Sequence, residues 1–299
     1  MDRLHLMSVY VAVAEAESFA GGARRLGMSP PAVTRAVAAL EERLGVKLLN
    51  RTTRHVRATD AGQRYLEDAR RIIAASDEAD EAAAGINAEP RGHLAVTAPV
   101  LFGRMFVTPG IVDYLQRFPE VEVSALFLDR VVNLLDEGLD VGIRIGELPD
   151  SSFKAIKVGK VRRVVCASPA YLKQHGLPKR LDDLQKHRIV AASGVTPGLE
   201  WKFNHGGKPQ GVRIHPRLTV NSNDAAIEAA VLGLGVTRLM SYQVGPQLAA
   251  GELKIVLSEF ESPPLPIHVI HREGRYASAK IRSFVDLMAA RLRAEKSLN

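Results

Sequence analysis

The sequence predicts an α+β protein in three successive parts: a small helical head closed by a β-hairpin, one long polar helix, and a two-lobed α/β body. Three observations predict it. Two helix starts follow closely on one another at Ser18 and Ser29. A seam of small and apolar residues recurs at alternating steps of four and three from Tyr65 to Ile86. Beyond Pro90, strand-like and helix-like patterns alternate to the end of the chain, as they do in α/β domains.

In the head, Ser18 and Ser29 can each accept a hydrogen bond from an orphan backbone N–H. Pro30 and Pro31 have φ preset for a first helical turn, so a second helix begins there. Along it Val33, Val37, Leu40 and Leu44 share one face, and Pro31, Thr34, Arg35 and Ala38 share the other. A face of small side chains with one arginine suits entry into a major groove, where Arg can pair with guanine O6 and N7. On this segment alone, a short helical hairpin with a solvated face is the alternative. Gly45 then supplies a helix stop, and the two short apolar stretches around a basic turn after it read as a β-hairpin wing. The wing makes Arg51, Arg54 and Arg57 available to phosphates or the minor groove. From Ser18 to Arg64 nine basic residues face three acidic ones, a local balance of +6. The next stretch, Tyr65 to Pro90, turns acidic, so positive charge is focused on the proposed DNA face.

This pattern resembles the LysR-type transcriptional regulators. The residues that carry the resemblance include Leu4, Tyr10, Val13, Ser18-Phe19, Ala23, Leu26, Ser29 to Thr34, Leu40-Glu41, Leu44-Gly45, Leu48-Leu49, Arg51 and Thr59 to Gly62. The resemblance implies a winged helix-turn-helix over residues 1–59, with the helix-turn-helix at about 19–38. Base contacts are expected from Ser29, Pro31, Thr34 and Arg35, and backbone contacts from Arg51, Thr53 and Arg54, with Ser18 also in the DNA-binding set. One departure is Gly21-Gly22, where the family usually has alanines. Glycine costs roughly 0.8 to 1 kcal/mol more than alanine in a helix interior, which predicts a soft first helix of the motif.

After Thr59, a helix cap with Asp60 in the first turn, the helix is expected to run to about Asn87. Its seam of Tyr65, Ala69, Ile72, Ser76, Ala79, Ala83 and Ile86 has a period of 3.5, the signature of helix pairing. A single solvated helix is the alternative. The resemblance implies that this linker helix, residues 60–88, pairs antiparallel with a partner's copy through Tyr65, Ala69, Ile72, Ser76 and Ala79. A dimer presents two readers to two half-sites.

Glu89-Pro90-Arg91-Gly92 breaks the helix. The body's first lobe is expected to hold strands at His93 to Thr97, Val121 to Leu128 and Val141 to Ile145. Helices are expected at Phe106 to Phe118 and near Val131 to Glu137, giving a mainly parallel sheet. The second lobe begins at Val161 to Val165, with strands at Arg188 to Ala191 and Leu218 to Asn221 and a helix at Asp224 to Leu232. After the stiff Pro263 to Pro266 segment, a strand at Ile267 to His271 returns to the first lobe, and a helix at Ser278 to Arg293 closes the chain. The lobes are thus 92–161 with 266–299, and 162–265. Two lobes joined by two crossovers resemble the periplasmic-binding-protein fold that the family uses as its effector domain.

In open α/β sheets ligands bind beyond the carboxyl ends of the strands. That rule selects Pro99, Val100, Leu101 and Phe102 after the first strand, Leu128-Asp129 after the second and Arg144 at the end of the third. In the second lobe it selects Ser193, Asn221 and Asn223. Arg144 reads either as a bidentate carboxylate clamp or as a structurally paired arginine. Asn223 reads either as a helix cap or as a ligand contact. The apolar loop at 99–102 points to an effector with an apolar or aromatic part beside an anionic one.

Composition limits the classes. A chain of 299 residues, 46% hydrophobic and 24% charged, is about two domains' worth of ordinary globular protein. No run of about 18 apolar residues exists to cross a membrane, and the amino terminus lacks the layout of a signal peptide, so the expected location is the cytoplasm. A net charge of +7 fits a polyanion partner. The single cysteine, Cys166, lies in a strand-like run and reads as a buried structural residue rather than a redox sensor. No metal-ligand spacing, serine elbow or phosphate loop is present, so neither an enzyme nor a cofactor is expected.

The reading is a DNA-binding regulator controlled by a small molecule held between the lobes, a dimer or tetramer acting on promoter DNA, with RNA polymerase as a further partner the resemblance allows. Its rivals are an effector-independent repressor or architectural binder of the same fold, and a solute-binding or catalytic body to which the DNA reader is incidental.

Overall fold

Four patterns of burial build the head, and in the computed structural model they close on a single small core. The structure describes residues 2–51, 56–84, 89–148, 153–192, 200–272 and 278–298. The chain forms two compact units, one essentially residues 1–88 and the other residues 89–274 with 280–299.

The first unit opens with α1 (Arg3–Glu15), α2 (Phe19–Arg25) and α3 (Pro30–Leu44), followed by the wing strands β1 (Leu49–Arg51) and β2 (Val56–Ala58) and by α4 (Asp60–Ala84). Leu6, Val9, Tyr10 and Val13 of α1 meet Val33, Val37 and Leu40 of α3, with Leu48 and Leu49 closing the core from the wing and Leu66 from α4. The wing strands pair antiparallel, Asn50 opposite Arg57. Gly45 ends α3 in the left-handed conformation at φ 69, as a helix stop requires. Thr59 behaves as a cap: its Oγ1 accepts from Gly62 N–H at 2.9 Å and donates to the Lys47 carbonyl at 2.8 Å.

Gly21-Gly22 has a structural cause that the sequence did not disclose. A Cβ on Gly22 would lie 2.7 Å from Val13 Cγ2 and 3.0 Å from the Val13 backbone, so α2 crosses α1 at a distance only glycine allows. The close packing of α1 on α2 that these glycines permit opposes the propensity penalty.

The second unit carries two five-stranded sheets. The first contains β3 (Gly92–Ala98), β4 (Val121–Phe127), β5 (Val141–Ile145) and β6 (Phe153–Val161). The chain then enters the second sheet with β7 (Arg163–Ala167), reaches α7 (Pro169–His175), a 3-10 turn (Leu181–Lys186) and β8 (Ile189–Ala192), and makes a hairpin of β9 (Glu200–His205) and β10 (Lys208–Arg213). It continues through β11 (Pro216–Val220), α8 (Asn223–Val231), β12 (Val236–Met240), α9 (Gly245–Ala249) and β13 (Lys254–Val256), then returns in β14 (Leu265–Arg272) and ends in α10 (Ala279–Ala294). Strand orders are β4-β3-β5-β14-β6 and β11-β8-β12-β7-β13. The returning strand β14 pairs with β5 and β6, so the chain passes between the sheets twice.

Four expectations about the body need correction. The three strands expected in the first lobe, β3, β4 and β5, do run parallel, but the complete sheets are mixed: β14 runs antiparallel to β5 and β6, and β7 antiparallel to β12 and β13. Those are the strands that carry the chain across, and strand periodicity does not encode direction. The helix expected at Phe106 begins at Val100, as α5 (Val100–Phe102), a π-helical turn (Gly103–Val107) and α6 (Thr108–Arg117). Its first N–H, on Val100, is capped by the distant Asp129 Oδ1 at 3.1 Å. The helix expected at Val131 to Glu137 is a turn, because Asn133 Oδ1 accepts from Leu135 N–H and Gly138, at φ 63, ends it after one hydrogen-bonded cycle. The β9-β10 hairpin was not anticipated, although Gly206-Gly207 at its tip is a turn signal.

Cys166 lies in β7 with no exposed surface, and burial pushes its thiol up to about 12. A thiol held protonated in this way is a packing residue, as expected. Among the described residues no helix is long and apolar enough to cross a membrane.

Candidate nucleic-acid interface and effector cleft

Helix α3 separates its two jobs by face. Val33, Ala36, Val37 and Leu40 are wholly buried, while Pro31, Arg35 and Ala38 are exposed and Thr34 is half-buried. Thr34 Oγ1 donates to the Pro30 carbonyl at 2.9 Å, which fixes its rotamer at the helix entrance. Ser18 caps α2 by accepting from Gly21 N–H at 3.2 Å. Ser29, expected to do the same for α3, occupies the cap position without a side-chain cap bond. Pro30 and Pro31 at the first two helical positions have no N–H to give, and the bond to the remaining donor within reach, Ala32 N–H, is not made. The Ser29 hydroxyl is exposed at the amino end of the exposed face.

Not all of the basic charge is equally available. Arg25 is ion-paired with Glu15, and Glu15 also holds Arg70 of α4 through Nε at 3.0 Å and Nη2 at 2.8 Å. Lys47 is paired with Glu41 at 2.8 Å. Among the described residues, Arg24, Arg35, Arg43, Arg57 and Arg64 have no ion pair. Arg51 lies in β1, and Thr53 and Arg54 lie outside the described residues.

Two residues that carry the family resemblance, Glu41 and Tyr10, have supporting roles that the sequence does not show. Glu41, 3% exposed, accepts from the backbone N–H groups of Leu48 at 2.9 Å and Leu49 at 3.1 Å as well as from Lys47. Burial alone would raise its carboxyl, but the bonds from Lys47, Leu49 and Leu48 prevail and hold it below the ordinary glutamate value. It ties the carboxyl end of α3 to the base of the wing. Tyr10 donates its hydroxyl to the Gly62 carbonyl at 2.8 Å and joins α1 to α4. An acidic residue on the apolar side of an otherwise amphipathic helix was the available signal for Glu41.

The seam on α4 divides. Ala69 is completely buried and Tyr65 packs on the head core, its ring 5.7 Å from that of Tyr10. These two are therefore used by their own head and are withdrawn from the expected partner-facing line, because the first turns of α4 lie against α1. Ile72 is 43% exposed, Ser76 is half-buried and Ala79 is exposed. Ala83 and Ile86 fall where side chains are outside the description.

In the body, the residues selected by the strand-end rule separate in the same way. Leu101 and Phe102 are buried in the first turn of α5, not on a free loop; the Phe102 ring packs at a tilt against Phe106 and edge-to-face against Tyr242 beyond β12. Pro99 is half-buried and Val100 exposed. Leu128 is half-buried and packs on the small core under the 131–138 turn. Arg144 donates to the Val132 carbonyl at 2.6 Å, which favours the structurally paired reading of that residue over the carboxylate clamp. Ser222, not Asn223, caps α8 by accepting from Ala225 N–H. Asn223 sits one residue inside the helix, buried, and donates Nδ2 to Asp129 Oδ2 at 3.0 Å. Asn221 is exposed, and Ser193 lies outside the described residues.

Asp129 is thereby the connecting group. Its two oxygens bridge Val100 N–H in the first lobe and Asn223 in the second. Burial raises its carboxyl, opposed by the Val100 hydrogen bond and reinforced by Asp224 nearby. Arg104 and Asp224 form a second bridge at 3.4 Å. Beside it lies a cavity of about 460 Å³ lined by Arg104, Met105, Asp224, Ile227, Glu228 and Gln247, among others.

Comparison with known proteins agrees with this division. Residues 4–63 match the model of the bacterial regulatory helix-turn-helix protein, lysR family, and residues 87–293 match that of the LysR substrate binding domain. The chain is 31% identical over 281 residues to an HTH-type transcriptional regulator of Haemophilus influenzae, covering 94% of this chain and 98% of the relative. It is 31% identical over 287 residues to the HTH-type transcriptional activator TtdR of Escherichia coli K12, covering 95% and 92%. Its fold is similar to that of CrgA, a LysR-type regulator from Neisseria meningitidis, with a TM-score of 0.62 at 29% identity over 96% of this chain and 98% of the other. It is also similar to full-length AphB, a Vibrio cholerae virulence activator, with a TM-score of 0.64 at 24% identity over 97% and 99%. With an amino-terminal helix-turn-helix domain and a carboxyl-terminal two-lobed substrate-binding domain, the chain belongs to the LysR family of bacterial transcriptional regulators.

Proposed function

We propose that this regulator reads promoter DNA as a dimer and that a small molecule held between the two lobes of its body changes how the readers sit on the duplex. The proposed parts are a reader at 1–59, a linker helix at 60–88 and an effector body at 92–299. The observation that carries the reading is the face of α3, where small side chains surround an unpaired Arg35 while the opposite face is wholly buried. Ser29, Pro31, Thr34 and Arg35 face base edges; Ser18, Arg51, Thr53 and Arg54 hold the phosphates. The exposed part of the α4 seam, Ile72, Ser76 and Ala79, faces the partner helix.

Selection of bound duplexes from a random pool gives the operator. On a panel of single-base variants of it, Arg35→Ala is expected to relax preference at one position of each half-site by about 1 to 3 kcal/mol, and Arg54→Ala to weaken binding to every sequence alike. Indistinguishable mutants overturn this division of labour. Ile72→Glu places a charge in the helix pair and is expected to yield monomers in sedimentation; an intact dimer removes that interface.

For the effector, supporting geometry comes from the residues that meet between the lobes. Asp129 is already bonded to Asn223 and Arg104 to Asp224, so a ligand that takes these groups must exchange those bonds for its own, while the buried Asn223 Oδ1 has no hydrogen-bond partner. It shifts the regulator only by its differential affinity for the two arrangements. Ligand-dependent thermal stabilisation supports this reading, and its absence across candidate metabolites favours a regulator acting by occupancy alone.

A further inference from the structure

Positive charge is concentrated in two stretches of this chain, and only one of them is the reader. From Lys173 to Arg217, in the second lobe, nine Lys and Arg residues face three Asp and Glu, again a balance of +6. The whole chain carries +7, so with +12 in these two stretches the remainder carries −5. The second stretch is therefore as basic as the helix-turn-helix segment and stands out from its own domain.

The fold gathers this charge on one end of the second sheet. Along 212–217 the side chains alternate: Val212 and Ile214 enter the core, while Arg213, His215 and Arg217 are exposed on the other side. Pro216 lies opposite Ile189, which brings Arg217 beside the start of β8 and its preceding exposed residue, Arg188. Gln185 Nε2 donates to the Arg213 carbonyl at 2.7 Å and draws in the 3-10 turn that ends in exposed Lys186. This is the amino end of the parallel strands β8 and β11, opposite the strand ends from which the effector residues were chosen. Lys186 has a contact with Asp183 at 3.4 Å; Arg188, Arg213 and Arg217 have no ion pair among the described residues. Among the described residues of 173–217 one large apolar side chain, Leu177, is exposed.

We propose that this face is a second DNA-binding surface, which holds the phosphate backbone of duplex beyond the part gripped by the head. Charge complementarity selects a polyanion. With Leu177 as the one large exposed apolar side chain among the described residues of the stretch, an acidic protein, whose interface would need an apolar core, is disfavoured. Protecting the β11 edge from strand pairing accounts for a charge or two on β11 but not for Lys186 and Arg188, which lie outside it. The head supplies the concentration: once it is bound, further phosphates are local, and cations too weak to bind DNA alone add affinity. The inference uses the DNA reading of the head only for that delivery.

The test uses the full chain with random-sequence duplexes of two lengths, one just long enough for a pair of heads and one several times longer, titrated over a range of salt. The variants are Arg188→Glu/Arg213→Glu/Arg217→Glu and a control with the same charge change, Lys154→Glu/Lys160→Glu/Lys254→Glu, all at exposed positions. For the long duplex, the slope of log K against log salt is expected to become shallower by about 2 to 3 in the patch variant, one release of counterions for each lost phosphate contact. The short duplex is expected to bind both variants alike. Equal slopes for patch and control variants on the long duplex overturn the proposal. Failure of the unaltered chain to bind even the short duplex overturns instead the reading of the head. Should the triple variant not fold, Arg213→Gln and Arg217→Gln singly are each expected to reduce the long-duplex slope by about 1, and an unchanged slope is equally decisive.

Discussion

The face of α3 and the cleft between the two lobes treat charge in opposite ways. On α3, Arg35 stands exposed without an ion pair, while the acids of the head are turned to structural use: Glu15 binds Arg25 and Arg70, and Glu41 binds Lys47 and the wing backbone. In the cleft the polar groups spend themselves on one another, Asp129 on Asn223 and Val100, Arg104 on Asp224. The difference follows from the ligands each would meet. DNA arrives with dense fixed charge, and cations left unpaired bind it without first breaking a bond. A small molecule must displace existing partners, so its binding is a difference between two sets of contacts, and that difference can drive a conformational change.

If the head is a rigid platform for that open face, disturbing its closest backbone approach has the largest effect. A Cβ on Gly62 would lie 2.0 Å from the Leu48 carbonyl oxygen and 3.0 Å from the Tyr10 hydroxyl. Gly62→Ala is therefore expected to destabilise the first unit by about 3 kcal/mol. Calorimetry should show its transition lowered while that of the body stays in place. A head transition that does not move means that α4 can slide away from the wing, and the platform is less rigid than its contacts imply.

A smaller loss is expected at Glu41. Glu41→Gln keeps the shape and removes the charge that receives three bonds, so the head should lose about 1 to 3 kcal/mol. The carboxyl is held below its ordinary value in the folded chain, so its contribution is complete above the ordinary glutamate pKa and disappears as pH falls through the lowered folded value. Urea midpoints of wild type and variant should converge on acidification. Parallel curves across that range assign the effect to packing rather than to the carboxylate.

How far the sequence could be read follows the same division between head and body. Local signals built the head: Ser18, the Pro30-Pro31 pair, Gly45 and Thr59 each act within a few residues of themselves, and all four do what their residue types suggest. Ser29 alone does not make its side-chain cap bond, because the prolines leave Ala32 as the one N–H within reach and that bond is not formed. In the body the decisive contacts are distant in sequence. Asp129 caps a helix that begins at Val100 and binds Asn223 in the other lobe, and neither relation leaves a periodic trace. So the helix start is expected too late, and Asp129, selected together with Leu128 at the end of the second strand, carries no local sign that it joins the lobes. Arg144 was legible as a buried-end arginine but not as a donor to Val132, since the 131–138 segment was itself taken for a helix. The α4 seam was read as one line because alternating fours and threes describe both an intramolecular and an intermolecular contact; only packing against α1 divides Tyr65 and Ala69 from Ile72.

The finest test concerns Asp129, where the comparison predicts an effect of the opposite sign to that at Glu41. Its carboxyl is raised by burial, so the ionised form at neutral pH is disfavoured in the folded body relative to the unfolded chain. Stability of the second unit should then fall as pH rises from the ordinary aspartate value through the raised one, and level off above it. Asp129→Asn removes that dependence and need not break the bridge. Asn223 Oδ1 is buried without a hydrogen-bond partner, so a rotated Asn223 amide can accept from the new side chain while Val100 N–H still meets the oxygen. The net change at neutral pH is expected to lie within about 1 kcal/mol, either neutral or stabilising. A variant markedly less stable than wild type at neutral pH shows instead that the ionised carboxylate is the better partner for Val100 and Asn223. In that event the cleft keeps its charge in the same manner as the head, and the contrast between the two regions fails at the residue where it is sharpest.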